Sequence, residues 1–292
     1  MVREFIVSQE REGDTLTVFL RSNGVTGSLI KRLKFLEDGI LVDGVRQNTD
    51  YRLKQGQIVT LNVYDTQQDI TASTVAPQSI PMDIVYMDGG CMVVDKPYYM
   101  AIHPSMNYHA DTLANAFCGY WKDRNEEKIY RVLNRLDKNT SGLVMIALDR
   151  YSAEALKNSV DKVYTAIVQG KVDPQKGAID APIGRQTGSI ITRCVCETGQ
   201  YAKTEYSVVK QNEEFSLVDI KLCTGRTHQI RVHFAYVGHP LAGDDLYGGR
   251  TDVINRQALH CSQMSFTSQE TGKKVVIKSQ LPRDMADIVM KI

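Results

Sequence analysis

The 292-residue sequence contains no long hydrophobic run and no strongly apolar N-terminus. One of its longest aliphatic stretches extends only from Leu143 to Leu148, far short of the ~20 residues that a membrane-spanning helix needs. Residues 1–14 mix charged side chains into the few apolar ones, which excludes the hydrophobic core of a signal peptide. We therefore expect a cytoplasmic protein without membrane attachment.

The sequence also lacks the paired spacing of a disulfide framework or a zinc site. Its six cysteines are scattered, which in a chain of this length indicates free thiols in a reducing compartment. Cys194 and Cys196 have no second cysteine pair that would complete four metal ligands. The histidines at 228, 233 and 239 lack the spacing of a helical zinc pair. The sequence therefore predicts no bound metal.

A strong excess of either charge is missing too, because 35 lysines and arginines oppose 34 aspartates and glutamates, for a net charge of +1. Phosphate neutralisation supplies most of the nonspecific affinity for nucleic acid, so a nucleic-acid partner would need a local basic patch. The hydrophobic content of 42% and the charged content of 24% are typical of a soluble globular protein. The length suffices for two domains.

A local basic patch occurs in residues 1–64, which we predict to form a small α+β domain. Apolar residues recur at helical spacing over 26–38, and Gly39 is placed to end this helix. A strand, a tight turn and a second strand are predicted over 40–45, and a further strand over 58–63. The charged helix face either binds a polyanion or is simply solvated. Its basic residues are Lys31, Arg32 and Lys34.

Residues 65–80 are polar and lose periodicity, which predicts a linker that lets the first domain reorient. The larger domain, 81–292, contains more predicted strands than helices, and several strands are joined by short turns. This pattern favours an α+β fold with a mixed, largely antiparallel sheet, flanked by helices around a central cleft. The predicted strands are 84–86, 91–94, 143–148, 162–168, 205–209 and 215–222, and the predicted helices are 111–120, 151–160 and 227–237.

The most informative segment is 131–143, where an apolar pattern stops at one carboxylate. Asp137 is followed by Lys, Asn, Thr, Ser and Gly, whose side chains and backbone satisfy one another in a turn. On this segment alone, such an Asp is ordinarily a turn or capping residue. A second segment, 222–235, supplies a cation, since Thr227 is placed to cap a helix that carries Arg231 one turn inside it.

Together with 162–170, these segments resemble the RluA-type family of pseudouridine synthases, which isomerise uridine in structured RNA. The three motifs occur in the family's order, and the likeness extends from about Ile84 to the C-terminus. The first domain is similar to a small RNA-binding module, named after a ribosomal small-subunit protein, that commonly precedes the catalytic domain in this family. Further matching motifs are Asp95-Lys96-Pro97, His103-Pro104, Gly238-His239-Pro240-Leu241-Ala242-Gly243-Asp244, Tyr247-Gly248 and Leu281-Pro282.

The resemblance implies a site in which Asp137 acts at the sugar, Arg231 keeps it ionised and oriented, and Tyr164 stacks on the target base. The tyrosine hydroxyl would also accept a proton at the end of the reaction. Arg226 is a second candidate for the arginine role, and either arginine would alternatively contact phosphate. The other substrate-binding residues that we predict are Arg135, which would help to flip the nucleotide, Leu281, which would pack on the far side of the base, and His228, Gln229, Ile230, Lys31, Arg32 and Lys34.

The reaction breaks the C1′–N1 bond, rotates the base and joins C1′ to C5, without a cofactor. An ionised Asp137 either attacks C1′ or removes the C2′ proton to give a glycal, and the sequence leaves both routes open. Many family members have His where this chain has Asn134, which excludes a titrating role at that position. The Arg135-Leu136-Asp137 core is intact.

Two other functions compete with this interpretation. A noncatalytic RNA-binding or ribosome-assembly protein would keep the scaffold, but binding alone needs no carboxylate facing a polyanion. A hydrolase using His and Asp would need a nucleophile, and no glycine-framed serine or suitably spaced cysteine accompanies His228 or His233. For a synthase, the basic first domain favours ribosomal RNA over transfer RNA as the partner, and one extruded base per pocket favours a monomer.

Overall fold

The computed structural model describes residues 2–72, 75–105 and 108–292 of the chain. Met1 of the predicted first domain and residues 73 and 74 of the predicted linker lie outside these ranges. Two main sheets organise the described residues, a smaller one within 2–62 and a larger one within 83–278.

The smaller sheet consists of four antiparallel strands, β1 (Val2–Ile6), β2 (Ile40–Val42), β3 (Val45–Arg46) and β4 (Ile58–Asn62). Their order in the sheet is β1-β4-β2-β3, and the strand pair predicted around the turn at 43–44 is confirmed. Two helices, α1 (Leu16–Ser22) and α2 (Gly27–Leu33), pack on this sheet. The helical residues that they bury are Leu16, Phe19, Leu20, Leu29, Ile30 and Leu33.

The basic helix α2 is shorter than the predicted range of 26–38. It ends at Leu33, and the chain then turns back so that Gly39 lies against the Leu33 carbonyl, where any side chain would clash. Gly39 is therefore needed for a close backbone approach and not for ending the helix directly. Phe35, inside the predicted range, is 72% exposed.

The predicted linker contains a helix that periodicity did not indicate, α3 (Gln67–Ala72). Thr66 and Asp69 cap it reciprocally: the Thr66 N–H donates to the Asp69 carboxylate at 2.9 Å, and the Asp69 N–H donates to Thr66 Oγ1 at 3.4 Å. The same carboxylate pairs with Arg32 of α2 and lies 3.7 Å from Arg150, which follows the predicted linker in the chain. This segment therefore contacts residues on both sides of the predicted linker, and the reorientation of the first domain stays a prediction.

The strands of the remaining chain are β5 (Asp83–Met87), β6 (Cys91–Lys96), β7 (Arg131–Val132), β8 (Ser141–Ala147), β9 (Asp161–Gln169), β10 (Lys176–Asp180), β11 (Ile183–Arg185), β12 (Arg193–Val195), β13 (Lys203–Gln211), β14 (Phe215–Leu222), β15 (Leu259–Thr267) and β16 (Lys274–Lys278). The helices are α4 (Leu113–Lys122), α5 (Arg150–Leu156), α6 (Gln229–Tyr236) and α7 (Arg283–Val289). Among the described residues, no helix is long and apolar enough to cross a bilayer.

Ten of these strands form one sheet in the order β10-β13-β14-β9-β15-β8-β6-β5, with β16 paired to β15 and β7 paired to β8. In the described ranges, the short contact between β15 and β8 is parallel and the other strand pairs of this sheet are antiparallel. Strands β11 and β12 form a separate hairpin. The predicted α+β fold with a mixed, largely antiparallel sheet is confirmed.

Strand β8 lies inside this sheet, between β15 and β6, and all its residues are buried. Gly142 has a φ of 108° and packs directly on Cys261 of β15, where an added Cβ would meet the Cys261 amide nitrogen at 2.6 Å. Glycine alone permits this approach without strain. The loop that precedes β8, residues 133–140, is thereby anchored to the sheet, and it carries Asp137.

Candidate active site

Asp137 stands in a loop that backbone and side-chain hydrogen bonds hold in place. The Thr140 N–H donates to the Asp137 carbonyl at 3.0 Å. Earlier in the loop, Asn134 is buried, and its side-chain amide donates to the Leu143 carbonyl at 3.0 Å and accepts from the Met145 N–H at 2.8 Å. A primary amide supplies both a donor and an acceptor without charge, so this asparagine can replace a strand partner of β8.

Lys96 supports the same loop from within the core. Its side chain is fully buried, and its Nζ donates to the carbonyls of Pro97, Met100 and Lys138 at 2.7, 2.9 and 3.2 Å. Burial lowers the pKa of Lys96 to about 7, and the charge of Asp137 opposes this shift. Three carbonyl acceptors require three N–H donors, so we assign the charged form. Because Lys138 directly follows Asp137, Lys96 fixes the backbone beside the carboxylate.

Arg231 connects Asp137 to a second carboxylate, Asp244. Nη1 of Arg231 donates to Asp137 Oδ2 at 3.1 Å, while Nε and Nη2 donate to the two carboxylate oxygens of Asp244, each at 2.7 Å. Burial disfavours the charge of Arg231, but Asp244 and then Asp137 outweigh burial and raise the pKa of Arg231. The bidentate pair fixes the guanidinium plane and aims its third nitrogen at Asp137. The contact between Arg231 and Asp137 that the sequence led us to expect is present.

His228 lies near the same oxygen in a left-handed backbone conformation, with φ 57° and ψ 19°. Its Nε2 is 3.8 Å from Asp137 Oδ2, and its Nδ1 is 2.8 Å from the hydroxyl of Tyr247. Burial lowers the pKa of His228, although the charge of Asp137 opposes this shift. The imidazole is therefore neutral near neutral pH. The Tyr247 hydroxyl also accepts the Arg193 N–H at 3.0 Å, which ties the β11–β12 hairpin to the site.

The prediction that Thr227 caps the following helix is wrong. Helix α6 begins at Gln229, and His228 occupies the N-cap position without a side-chain capping bond, because the backbone turns left-handed there. The turn is held instead by the Gln229 amide, which accepts the Arg226 N–H at 2.9 Å and donates to the Lys203 carbonyl at 3.0 Å. Gln229, predicted to bind substrate, thus has its polar atoms bonded to protein groups.

Tyr164 lies on β9 opposite Cys261 of β15 and is 5% exposed. Burial raises the pKa of its hydroxyl well above the ordinary value, and the neighbouring Cys261 and Asp137 add to the shift. The hydroxyl therefore keeps its proton at neutral pH.

These residues surround two adjoining cavities of about 70 and 520 Å³, here called together the central cavity. Leu136 and Leu222 line both cavities, Leu259 lines the smaller one, and Lys157 and Lys162 line the larger one. Sequence reasoning missed these residues, since neither their spacing nor their type marks them. The predicted residues that line the central cavity are Arg135, Asp137, Tyr164, Arg226, His228, Gln229, Ile230 and Arg231.

Four predicted residues do not line the central cavity. Leu281 packs instead in an apolar cluster with Met285 and Ile288 of α7. Pro282 is the N-cap residue of α7, so the Leu-Pro pair marks the start of this helix. The other three are Lys31, Arg32 and Lys34, which belong to α2 and the residue that follows it.

The arrangement offers one carboxylate held by a fixed guanidinium, beside a neutral imidazole and a protonated phenol. A carboxylate held in this position is able to act as a nucleophile or as a general base. Tyr164, Leu222 and Leu259 supply an apolar wall that suits a planar base. In the part of the chain that the structure describes, no group of three or more His, Cys, Asp or Glu side chains is placed to hold a metal ion.

Comparison with known proteins identifies the family. The family model described as RNA pseudouridylate synthase matches residues 90–236. The Bacillus subtilis protein YjbO, named as an uncharacterized RNA pseudouridine synthase, is 34% identical over 271 residues, which cover 91% of this chain and 95% of that protein. Ribosomal large subunit pseudouridine synthase D of Vibrio parahaemolyticus is 35% identical over 227 residues, which cover 71% of this chain and 70% of that protein.

A solved structure has the same fold. Human RNA pseudouridylate synthase domain containing 4 superposes with a TM-score of 0.59 at 22% identity, over 76% of this chain and 94% of that chain. The RluA-type resemblance of the sequence motifs is confirmed by the family match. The chain therefore belongs to the RNA pseudouridylate synthase family, isomerases that convert uridine to pseudouridine in RNA.

Proposed function

We propose that this chain isomerises a uridine of ribosomal RNA and that Asp137 is its catalytic carboxylate. The observation that carries the proposal is the pairing of Arg231 with buried Asp244, which directs a guanidinium at Asp137 inside a cavity. The Asp137 side chain is 30% exposed, so it is accessible to a bound nucleotide. A protein that only bound RNA would not benefit from this carboxylate, because it repels phosphates.

Among the residues that the structure describes, Asp137 has one carboxylate oxygen without a side-chain partner, and this oxygen is available to the sugar. The contacts of Arg231 and His228 both fall on Oδ2, which leaves Oδ1 to act on the ribose. As the C1′–N1 bond breaks, its electron pair leaves on the uracil ring, and Oδ1 either bonds to C1′ or takes the C2′ proton. The rotated base then forms the C5–C1′ bond, and in the same step the Oδ1–C1′ bond breaks in the first route or Oδ1 returns the proton to C2′ in the second. C5 loses its proton and N1 gains one, so atoms and charge balance without a cofactor.

The detached uracil must stay in the cavity while it rotates. Stacking of a base on an aromatic ring contributes roughly 1–3 kcal/mol, and we assign this contact to Tyr164. Leu222 and Leu259 line the same cavity and take the apolar role that the sequence gave to Leu281. Arg135 also lines the cavity, and we assign it to contact the phosphate of the extruded nucleotide or to fill its position in the stack.

Ribosomal RNA is the substrate that the relatives support, since one of them is named for the ribosomal large subunit. We propose that residues 1–64 form an RNA-binding domain whose exposed Lys31 and Lys34 contact phosphates. Arg32 pairs with Asp69, so it contributes less positive charge to this surface. We further propose that the enzyme acts in the cytoplasm as a monomer, since one extruded uridine requires one cavity.

RNA labelled with tritium at uridine C5 tests both the reaction and the substrate, because isomerisation releases this tritium to water. Ribosomal RNA and transfer RNA from cells that lack the protein would be incubated separately with the intact chain and with Asp137→Ala. We expect release from ribosomal RNA by the intact chain alone. Release from transfer RNA alone would overturn the substrate assignment. No release from either RNA would favour the noncatalytic binding protein.

A further inference from the structure

The β11–β12 hairpin places two arginines directly opposite each other. Arg185 and Arg193 are cross-strand partners, so their side chains lie on the same face of a two-stranded hairpin. Like charges directly opposite each other weaken strand pairing. Within the described residues, neither arginine forms an ion pair. The repulsion is therefore left uncompensated inside the protein.

The two arginines are differently held. Nη1 of Arg193 donates to the carbonyl groups of Ile191 and Thr192 at 3.1 and 3.2 Å, which orients the guanidinium without neutralising it. Arg185 is exposed, and in the described chain its side chain makes no hydrogen bond. The fixed guanidinium of Arg193 and the unrestrained guanidinium of Arg185 can therefore both bind the oxygens of one anion.

The two arginines line a polar cavity of about 420 Å³, here called the hairpin cavity. Arg226 is the third charged residue of its lining, and the other lining residues are uncharged. Gly184 and Gly199 form a closely packed wall, since a Cβ at Gly199 would meet the Gly184 nitrogen at 2.8 Å. This cavity therefore presents three positive charges and no negative one.

The hairpin cavity adjoins the central cavity. Arg226 lines both, because it stands in the loop that separates them. The backbone of Arg193 is tied to the same site, since its N–H bonds to Tyr247, which contacts His228 beside Asp137. A phosphodiester backbone that leaves the central cavity past Arg226 would next contact Arg185 and Arg193.

The tip of the hairpin carries two exposed aliphatic side chains, Ile190 at 81% and Ile191 at 60% exposure. The turn that presents them is braced by Ser189, whose hydroxyl oxygen accepts the N–H groups of Ile191 and Thr192 at 3.2 and 2.9 Å. Apolar side chains on a braced turn next to a basic cavity suit the faces of unpaired bases and riboses.

We propose that the hairpin cavity is a second RNA-binding site, which holds the phosphodiester backbone of the strand next to the target uridine. The proposal rests on the proposed function, because it assigns that RNA a path out of the central cavity. Phosphate contacts of this kind fix the register of the RNA and carry no base specificity. The hairpin site therefore contributes to affinity and placement, and Asp137 carries out the chemistry.

The test compares the double variant Arg185→Gln/Arg193→Gln with Arg283→Gln, a control whose side chain is 95% exposed on α7. RNA affinity is measured over a range of KCl concentrations, together with kcat and KM for tritium release. We expect the double variant to bind about tenfold more weakly and to lose about 1 unit of the salt-dependence slope for each phosphate contact removed. Its kcat at saturating RNA should stay within about twofold of the native value.

An unchanged affinity and salt slope in the double variant would overturn the proposal, as would a fall in kcat without a change in affinity. The single variant Arg185→Gln covers the case in which loss of Arg193 disturbs the turn, since Arg185 makes no internal hydrogen bond in the described chain. Asp137→Ala separates the two proposals. Tritium release by that variant would contradict the catalytic role, while its salt slope should equal that of the native chain.

Discussion

Arg231 and Asp244 form a bidentate ion pair in which two nitrogens of the guanidinium meet two carboxylate oxygens, each at 2.7 Å. Asp244 is fully buried, and its backbone is fixed by Gly249, whose N–H donates to the Asp244 carbonyl at 2.7 Å. A Cβ at Gly249 would meet the Asp244 nitrogen at 2.6 Å, so the loop closes only with glycine there. The position of Arg231, and hence of Asp137, is thus set by a residue that never touches the cavity.

Replacement of Asp244 by alanine leaves a buried guanidinium with one partner instead of two. We expect Asp244→Ala to lower the free energy of unfolding by about 3–5 kcal/mol, the usual cost of breaking a buried pair. Urea denaturation at pH 7 measures the change. Asp252→Ala, which removes the exposed partner of Arg250, is the control and should leave the midpoint unchanged. Equal midpoints for the two variants would refute the structural role of Asp244.

Lys96→Met keeps the length of a buried side chain and removes its three donors. The carbonyls of Met100 and Lys138 then lose a partner, and the backbone next to Asp137 loosens. We expect kcat for tritium release to fall about 10- to 100-fold, since each tenfold corresponds to about 1.4 kcal/mol, with a smaller change in KM. Lys176→Met, at an exposed position of β10, should behave like the native chain. A native kcat in Lys96→Met would exclude this positioning role.

The sequence predicted those strands and helices whose residue pattern can be recognised within one continuous segment. Strand 143–148 was found because a continuous apolar run marks a strand buried on both faces, and strand 215–222 because its apolar residues recur with polar ones between them. Strand β1 was missed, since its burial alternates between exposed and half-buried residues and gives only a weak apolar pattern. Helix α7 was missed because its buried residues, Met285 and Ile288, span less than one turn.

The residues that support the site could not be predicted from the sequence, for a different reason. Asp244, Lys96 and Tyr247 are ordinary polar residues until the fold brings them beside Arg231, Lys138 and His228. Each of the three had one signal, its place in a matching motif, and that motif gave no partner. The Thr227 cap failed because capping patterns assume that the backbone enters a helix from the extended region, whereas His228 is left-handed.

His260, on β15, makes stability depend on pH. Its Nδ1 is 3.0 Å from the Ser141 hydroxyl at the start of β8, and burial lowers its pKa to about 4 from the ordinary 6.5. Below pH 6.5, His260 binds a proton in the unfolded chain, whereas in the folded chain it binds this proton only near pH 4. The contribution of neutral His260 is therefore complete above pH 6.5 and is lost as the pH falls to about 4, by about 3 kcal/mol in all.

Urea midpoints at pH 7.0, 5.5 and 4.5 measure this loss. We expect His260→Gln to show a shallower decline than the native chain, and His109→Gln, at an exposed position, to keep the native decline. Identical declines in the two variants would assign the acid sensitivity to other groups.

The most direct measurement of the role of Asp137 is single-turnover tritium release from C5-labelled ribosomal RNA by Asp137→Asn, with RNA affinity measured on the same preparation. The asparagine keeps the size of the side chain and an oxygen that accepts from Arg231, but it has no negative charge to act on the sugar. We expect an affinity within about twofold of the native value and no detectable release. Release at the native rate by Asp137→Asn would contradict the assignment of Asp137 as the catalytic carboxylate.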